Sequence, residues 1–422
     1  MNGYVSVIAP SPEPRAERLA ALERAFRTLP ERYLGAEPGF DATWHIVLGD
    51  VGHTWEVRCT THGARVRKGV TNRRPDVVIG TDSQTWMALR RGDMSGIVAF
   101  GERLLYARGK IDLAVGFEGL FRRDNGRPPL LRIHDVELPG RRVSALTMGE
   151  GPDVLLLHGL GGAKSSFFDA AAALSRHYRV HALDLPGFGS SSKPAIAPYD
   201  ARYFARTVRE TMDVLGIDRA HLAGNSMGGR VAIELALRHP ERVAGLALLC
   251  PAVAFVRRSY HPIVRLLRPE LGLLPHHFTR RMVENSFWSL FADRDRVDPS
   301  MADIVIDEFQ RTYSSPGARM AFLSSARNIY LEAPFGREGF YPRLAELQAP
   351  ALFVWGSHDT LVPAAFGRHV ERWLPGAEQI VLEGCGHVPQ VERAVQTTGL
   401  LQRFFAQIDA LGALPRRAQA AA

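Results

Sequence analysis

The chain has 422 residues, and because domains usually hold roughly 100–200 residues, two or three domains are expected. Its 46% hydrophobic and 23% charged residues are typical of a globular protein and exclude a disordered chain. The net charge of +8 comes from arginine, since only four lysines occur. These arginines are scattered rather than clustered with aromatic residues, which argues against a nucleic-acid partner.

The cysteine content and the apolar runs indicate the cellular compartment in which the protein is expected. The three cysteines are far apart and form no C-x-x-C pair, which excludes a disulfide framework and fits a reducing environment. The longest nearly apolar run, Val243 to Val256, is too short to span a bilayer. Residues Met1 to Pro10 have no basic residue before their weak apolar stretch, unlike a secretory signal. We therefore expect a cytoplasmic protein.

Residues 1–125 combine helical and strand periodicity. Apolar residues recur at helical spacing over Arg15 to Leu29, and alternating residues then predict antiparallel strands. These strands cover Trp44 to Leu48, Trp55 to Cys59 and Ala64 to Val66, with a further strand at Val77 to Ile79. The remaining predicted elements are helices at Gln84 to Arg91 and Met94 to Phe100, a strand at Tyr106 to Arg108 and a closing helix at Ile111 to Phe121.

This order of elements resembles the sterol carrier protein type 2 family. The matching stretches are Pro75-Asp76-Val77-Val78-Ile79-Gly80, the helix from Trp86 to Gly92, Met94-Ser95-Gly96-Ile97 and Ile111 to Phe121. The resemblance implies a sheet packed against helices around an apolar tunnel for lipid. This chain departs from the family at Gly109-Lys110, where Gly-Asp is usual. A packing or dimerisation module with a sealed core is the alternative interpretation.

The chain divides near residues 122–130, which are charged, contain Gly and Pro-Pro, and lack periodicity. We therefore predict a small α+β lipid-binding domain over residues 1–125 and a second domain over residues 126–422. The arginines around this linker would give a weak peripheral attraction to an anionic membrane surface. They are Arg122, Arg123, Arg127 and Arg132.

Strands and helices alternate in the second domain. Two half-buried strands are predicted at Leu131 to Leu138 and Arg142 to Met148. Continuous apolar runs then follow at Asp153 to Leu157, Tyr178 to Leu183, Ala220 to Ala223, Val243 to Leu249 and Ala351 to Trp355. Such runs, separated by helices, predict a parallel sheet covered on both faces. Helical patterns alone occupy about 252–347 and predict a cap over the carboxyl edge of the sheet, where such folds bind ligands.

Ser226 lies in Gly224-Asn225-Ser226-Met227-Gly228-Gly229, between a predicted strand and a predicted helix. A serine on such a sharp turn needs small flanking residues, and Gly224 and Gly228 supply them. Serine also needs a base and an orienting acid. Asp359 follows one predicted strand and His387 follows a short apolar run, in the expected order of serine, acid and histidine. We therefore predict these three residues to be catalytic.

Two further features concern the same site. His358 is a rival base, but it adjoins Asp359 and would point away from it. The loop His158-Gly159-Leu160-Gly161-Gly162 follows a strand and could supply an amide donor for an oxyanion. We predict the amides of Leu160 and Met227 as the donors, with His158 and Gly159 in supporting positions. The glycine cluster from Asp184 to Ser190 lacks nucleotide-binding spacing and is interpreted as a structural turn.

Four motifs in this order resemble the α/β-hydrolase superfamily across residues 131–409. The resemblance implies the α/β-hydrolase fold and a serine carboxylesterase or monoacylglycerol-lipase-like activity on apolar acyl esters. We expect no cofactor and no metal. Ser226 argues against epoxide hydrolases and haloalkane dehalogenases, which use aspartate at the elbow. Meta-cleavage carbon–carbon hydrolases share the elbow but commonly carry Trp where this chain has Val388.

Other activities stay open at this stage. Perhydrolases and haloperoxidases share the triad, and a lipid-transfer protein could carry an idle hydrolase domain. An intact triad argues against the idle domain, because a site that is no longer used for catalysis tends to lose one of its three catalytic residues by mutation. The expected partner is a small ester or lipid substrate.

Overall fold

A computed structural model describes residues 14–71, 74–256, 264, 266, 268–274 and 279–413, so Met1 to Pro10 lies outside the described residues. The chain divides into two units between Ile133 and His134. The alternating residues of the first unit form the strands β1 (Asp41–Leu48), β2 (His53–Thr60), β3 (Gly63–Lys68), β4 (Val77–Thr81) and β5 (Leu105–Gly109). They make one sheet in the order β3-β2-β1-β4-β5. β1 and β4 are parallel, and the other neighbours are antiparallel.

Four helices accompany this sheet, namely α1 (Arg15–Arg27), α2 (Ser83–Arg91), α3 (Gly96–Gly101) and α4 (Ile111–Gly116). The closing helix predicted to run to Phe121 is too long, since α4 ends at Gly116 and a short 3-10 turn follows. Glycine is a weak helix former, and a Cβ on Gly119 would lie 2.9 Å from the carbonyl oxygen of Leu131. The close backbone approach therefore sets the path of this segment.

Aromatic side chains fill the interior of the first unit. The ring of Phe26, on α1, is stacked between Trp55 and Trp86, with centroid distances of 4.4 and 5.0 Å. The planes differ by only 7° and 10°. All three side chains are almost completely buried. The apolar positions of α1 thus pack onto the inward-facing tryptophans, because helical spacing puts these positions on one face of α1.

The stretch predicted to be a linker begins as part of the first unit. The amide of Arg122 donates to the carbonyl of Arg32 over 2.9 Å. The carboxylate of Asp124 accepts a hydrogen bond of 2.9 Å from Arg90, a buried arginine. These contacts attach residues 122–124 to the first unit, whose last residue is Ile133. The domain boundary at residue 125 stays a prediction.

The second unit contains an eight-stranded sheet, whose first strand begins three residues before the division of the chain. Its strands are β6 (Leu131–Leu138), β7 (Arg141–Met148), β8 (Asp153–Leu157), β9 (Arg179–Leu183), β10 (Ala220–Asn225), β11 (Val243–Leu249), β12 (Ala351–Gly356) and β13 (Glu378–Leu382). The order is β13-β12-β11-β10-β8-β9-β7-β6. The six strands β8 to β13 are all parallel to their neighbours among these six, and β7 is antiparallel to β9. The continuous apolar runs form the buried central strands, because helices cover both faces.

Ten helices are described in this unit: α5 (Phe168–Leu174), α6 (Ala201–Val214), α7 (Met227–Arg238), α8 (Arg280–Trp288), α9 (Pro299–Tyr313), α10 (Pro316–Leu331), α11 (Phe340–Leu344), α12 (Gly367–Trp373), α13 (Pro389–Glu392) and α14 (Ala394–Ala413). Four of them, α8 to α11, lie between β11 and β12, where the cap is predicted. Between residues 252 and 347, the described residues include no strand.

None of the described helices combines the length and apolar character needed to cross a membrane. The expectations of a cytoplasmic protein without a nucleic-acid partner stay predictions.

Candidate active site

Ser226 occupies the turn between β10 and α7 with φ +52° and ψ −114°, a conformation that few non-glycine residues adopt. The flanking glycines are required by close backbone contacts. A Cβ on Gly224 would lie 2.4 Å from the carbonyl carbon of Gly228. A Cβ on Gly228 would lie 2.1 Å from the carbonyl oxygen of Leu157. The turn therefore has the form of a nucleophile elbow.

Asp359 and His387 are in direct contact, with His387 Nδ1 2.7 Å from Asp359 Oδ2. Both side chains are buried. The second carboxylate oxygen of Asp359 accepts the amides of Leu361 and Val362 at 2.8 and 2.9 Å. Both oxygens are thus engaged, which holds the carboxylate in one orientation towards the imidazole. The rival His358 is exposed, and its Nδ1 lies 2.9 Å from Ser357 Oγ instead.

The side chain of Asn225 joins the loop of His387 to the elbow. Its Nδ2 donates to the carbonyl oxygens of His387, over 3.0 Å, and Leu249, over 3.1 Å. The amide of Ser226 also donates to the Leu249 carbonyl, over 2.9 Å. The buried acid–histidine pair is therefore attached, through one residue, to the serine turn. Sequence reasoning treated Asn225 only as part of the elbow motif.

The glycine-rich loop 158–162 lies beside the serine. A Cβ on Gly159 would lie 3.3 Å from the Cβ of Ser226. The carbonyl of Gly159 accepts hydrogen bonds from His158 Nδ1 over 2.7 Å and from the amide of Gly162 over 3.1 Å. In a trans peptide the carbonyl and the following N–H point to opposite sides, so the Leu160 amide faces away from both donors.

The other predicted oxyanion donor is the amide of Met227. Met227 is the first residue of α7, so its N–H is one of the four that a helix start leaves without an intrahelical partner. The N-terminal end of a helix also carries a partial positive charge. Both properties suit this amide to stabilise negative charge.

His158 is held as a neutral imidazole. The amide of Leu185 donates to its Nε2 over 3.0 Å, so Nδ1 carries the proton that Gly159 accepts. Burial lowers the pKa of His158, although the nearby carboxylate of Asp184 works in the opposite direction. In this tautomer the Nδ1 proton holds the Gly159 carbonyl in one orientation. His158 therefore supports the loop rather than taking part in proton transfer.

Asp184 also anchors the glycine-rich loop. Its carboxylate accepts hydrogen bonds of 2.7 Å from both the amide and the Nζ of Lys164, and one of 2.8 Å from the amide of Ser190. The Asp184 to Ser190 turn is structural, as interpreted from the sequence, but its anchoring role was missed. The available signal was Lys164, one of only four lysines, placed two residues after the loop.

Cys250 is a third side chain beside the acid and the histidine. Ligand atoms of Cys250, Asp359 and His387 lie within 4.8 Å of one another, a set that could hold a metal ion. Burial and the Asp359 carboxylate raise the pKa of the Cys250 thiol, whereas a metal ligand must be a thiolate. The Nδ1 of His387 is also already bonded to Asp359. The geometry therefore fits an acid–histidine pair better than a metal centre.

The cap contacts the site at two places. A Cβ on Gly161 would lie 3.1 Å from the ring of Phe322, on α10, and 3.3 Å from the ring of Phe309, on α9. The carbonyl of Leu290, just after α8, accepts the amide of His387 over 2.7 Å. The cap thus covers the glycine-rich loop with aromatic rings and also supports the histidine loop.

Comparison with known families agrees with both units. A family model described as the alpha/beta hydrolase family matches residues 154–398. A second model, described as the SCP-2 sterol transfer family, matches residues 34–122. The hydrolase match contains Ser226, Asp359 and His387, and the SCP-2 match begins after α1.

Individual relatives are similar to the second unit. A 2-hydroxy-6-oxononadienedioate/2-hydroxy-6-oxononatrienedioate hydrolase of Comamonas testosteroni is 31% identical, over 65% of this chain and 94% of the relative. A pimeloyl-[acyl-carrier protein] methyl ester esterase of Aeromonas hydrophila is 28% identical, over 62% of this chain and 98% of the relative.

Among solved structures, a membrane phospholipase A, a bacterial virulence factor, is 31% identical with a TM-score of 0.57. That match covers 66% of this chain and 87% of the phospholipase chain. The hydrolase model covers more than half of the chain, and the elbow, the strand order and the cap agree with it. The chain therefore belongs to the alpha/beta hydrolase family and carries an N-terminal domain of the SCP-2 sterol transfer family.

Proposed function

We propose that this hydrolase cleaves carboxylic esters of apolar acyl groups through a covalent acyl-enzyme on Ser226. The observation that carries the proposal is the buried contact of 2.7 Å between Asp359 and His387, joined through Asn225 to the serine turn. A serine needs such a base and orienting acid to become nucleophilic. The alternative of a lipid-binding protein with an idle hydrolase domain would not need this arrangement.

The proposed reaction uses the chain's own groups. Ser226 Oγ attacks the ester carbonyl carbon while His387 accepts the hydroxyl proton. The amides of Leu160 and Met227 stabilise the oxyanion of the tetrahedral intermediate. His387 then donates its proton to the departing alcohol, leaving the acyl group on Ser226. Water, deprotonated by His387, attacks the acyl carbon. The bond from that carbon to Ser226 Oγ then breaks, His387 returns its proton to the serine oxygen, and the carboxylic acid is released.

The apolar acyl preference is supported by the cap. Phe309 and Phe322 pack against the glycine-rich loop, and Leu160 packs into the same hydrophobic cluster. Such a lining favours a hydrocarbon chain over a charged group, because an unpaired charge is costly to bury. An ester similar in polarity to the substrates of lipases is therefore the expected class.

Hydrolysis of p-nitrophenyl esters of increasing acyl length tests this proposal. We expect release of p-nitrophenol to rise from acetate to medium chains and to disappear in Ser226→Ala. Ser191→Ala is a matched control, because Ser191 is a buried serine of the neighbouring turn. No ester hydrolysis by the unmodified protein, or equal rates in the Ser226→Ala variant, would overturn the proposal.

A carbon–carbon hydrolase of the meta-cleavage type is the second candidate. Its support is the 31% identity with the Comamonas enzyme, over 94% of that relative. Against it, Val388 follows the histidine, and a dioate substrate needs cationic partners where this cap presents Phe309 and Phe322. Decay of the coloured ring-cleavage product, measured beside p-nitrophenyl ester hydrolysis, distinguishes the two activities.

The first unit is proposed to bind lipid, which would supply or hold a water-insoluble substrate. Its support is the match of residues 34–122 to the SCP-2 sterol transfer family. The alternative of a packing module draws support from the stacked rings of Phe26, Trp55 and Trp86, which occupy interior space. Binding of a fluorescent fatty acid to the full-length Ser226→Ala variant separates these interpretations.

A further inference from the structure

Exposed apolar side chains are concentrated in one part of the cap. Among the described residues, thirteen large apolar side chains are markedly exposed, and five of them lie between positions 266 and 282. These five are Leu266, Leu271, Leu273, Leu274 and Met282, with exposed fractions from 37% to 72%. Single exposed apolar residues are ordinary, but a group of them marks an interaction surface.

Three of these leucines lie on one turn, residues 268–274, called here the leucine turn. The buried guanidinium of Arg319, on α10, donates to the carbonyls of Gly272 over 2.9 Å and Leu274 over 3.2 Å. The same group donates to the carbonyls of Tyr313 and Ser314. One buried arginine therefore fastens the leucine turn to the core of the cap.

The backbone of the leucine turn approaches α10 closely. A Cβ on Gly272 would lie 2.6 Å from the amide nitrogen of Met320. Gly272 is buried, while Leu271, Leu273 and Leu274 on either side of it are exposed. The fold thus holds the glycine inward and presents the leucines to the surroundings.

Positive charge accompanies the leucines. Arg268 and Arg281 are exposed, and neither has an ion pair within the described part of the chain. Arg280 is instead neutralised by acidic residues, namely Glu284, Asp303 and Asp307. Glu270 is the one acidic residue of the sequence between positions 264 and 282. The leucine turn itself thus combines exposed leucines with Arg268, and Arg281 follows seven residues after the turn; neither arginine has an ion pair among the described residues. Apolar side chains together with such arginines complement the interface of a bilayer that contains anionic lipids.

We propose that the leucine turn docks this protein onto the surface of a phospholipid bilayer. The leucines enter the headgroup and acyl boundary, and Arg268 and Arg281 meet lipid phosphates. The proposal deepens the proposed function, because apolar esters partition into bilayers. On α10, Arg319 holds the leucine turn, and Phe322, one turn further on, covers the glycine-rich loop. Docking would therefore bring the roof of the active site to the lipid surface.

Co-sedimentation of the full-length Ser226→Ala protein with vesicles tests the proposal. The vesicles contain phosphatidylcholine alone or phosphatidylcholine mixed with phosphatidylglycerol. We expect binding to both, with tighter binding to the anionic mixture, and a loss of at least about tenfold in Leu271→Ser/Leu273→Ser/Leu274→Ser. Arg268→Gln/Arg281→Gln should lose the preference for phosphatidylglycerol.

Matched controls lie elsewhere on the same unit. Ile196 and Val395 are 98% and 89% exposed, so Ile196→Ser/Val395→Ser removes apolar surface outside the leucine turn. This variant should bind vesicles like the unmodified protein. With Ser226 intact, the triple leucine variant should hydrolyse soluble p-nitrophenyl acetate at the unmodified rate, which shows that it is folded.

Three outcomes would overturn the docking proposal. They are no vesicle binding by the parent protein, equal binding by the triple leucine variant, and conversion of a dimer to a monomer by the leucine substitutions. The last would assign the leucine turn to a second copy of the chain. Failure of the proposed function is separate, because it would abolish ester hydrolysis while leaving vesicle binding in place.

Discussion

The ammonium group of Lys164 lies 2.7 Å from a carboxylate oxygen of Asp184, and only 1% of each side chain is exposed. The pair connects the glycine-rich loop beside Ser226 to the turn that follows β9. Burial by itself would raise the pKa of Asp184, but the charge of Lys164, the nearby His158 and the two hydrogen bonds from Lys164 together lower that pKa. The carboxylate therefore stays ionised, and the pair stays intact at neutral pH.

Lys164→Met should be strongly destabilising, because it leaves the Asp184 carboxylate buried without its charge partner. A buried pair broken in this way costs about 3–5 kcal/mol. The free energy of unfolding, measured by urea denaturation, checks this value. Lys164→Met/Asp184→Asn removes both charges and should recover part of the loss, whereas equal destabilisation in both variants would contradict the charge argument.

Ser226 should react with a fluorophosphonate probe, because such probes label activated serines. Ser226→Ala should abolish labelling and lower ester turnover by about a millionfold, as removal of a triad nucleophile does. Peptide mapping by mass spectrometry identifies the labelled residue. Labelling that persists in the alanine variant would place the nucleophile elsewhere.

Asp359→Asn should keep the fold and lower kcat by roughly ten thousandfold, by favouring the wrong tautomer of His387. The asparagine oxygen can still accept the amides of Leu361 and Val362, which the carboxylate accepts at 2.8 and 2.9 Å. Thermal unfolding should therefore change little while kcat falls. Activity within tenfold of the unmodified protein would mean that another carboxylate orients the histidine.

Glu118 should make the stability of the first unit depend on pH. Burial raises the pKa of Glu118 from 4.5 to about 8, although the Gly96 amide, which donates to its carboxylate over 2.8 Å, favours the ionised form. Between these two pKa values the folded state binds more protons than the unfolded state. The free energy of unfolding should therefore fall as pH rises from about 4.5 to about 8.

Glu118→Gln supplies the control for this pH dependence, because its amide oxygen can still accept the Gly96 amide. We expect the unfolding free energy of the variant to be flatter across the same pH window. Hydrogen exchange, followed by mass spectrometry at increasing urea on the peptides that contain Trp44, Trp55 and Trp86, reports on the core of the first unit. An unchanged slope in the variant would show that a different group titrates.

Phe26→Ala should destabilise the first unit by about 3–5 kcal/mol, because it removes the ring between Trp55 and Trp86. Phe26→Leu keeps more volume and should cost less. If this interior is a lipid site, a fatty acid should stabilise the alanine variant against urea more than the parent. No ligand effect on either protein would favour the packing module.

Much of the fold follows from local patterns in the sequence. Continuous apolar runs such as Asp153–Leu157 and Val243–Leu249 are typical of strands that are covered on both faces of a sheet. The structure shows both segments as buried strands. The elbow is also largely local, because the strain at Ser226 and the close approach of Gly224 to Gly228 lie within six residues. The contact of Gly228 with the Leu157 carbonyl, on the neighbouring strand, comes from tertiary structure. The prediction of the α/β-hydrolase fold is therefore confirmed.

The contacts around the catalytic candidates were decided by tertiary structure. Asp359 and His387 could be proposed from their order, and His358 could be set aside because it adjoins Asp359, but the direct contact between the acid and His387 is visible only in the folded positions of both loops. The pairing of Lys164 with Asp184 and the approach of Cys250 to Asp359 join positions far apart in the chain. Local periodicity carries no information about such distant partners.

The ends of individual helices and turns likewise depend on tertiary contacts as well as on the local sequence. The apolar pattern from Ile111 to Phe121 predicts one helix, yet the helix stops at Gly116, and the chain then approaches the backbone of Leu131 so closely that position 119 has no room for a side chain. The leucine turn lies in the stretch predicted only to form the helical cap, and the contact with Arg319 fastens it there with its leucines outward. Local patterns thus determine which segments are helices or strands, whereas packing between distant segments determines where they end and what they face.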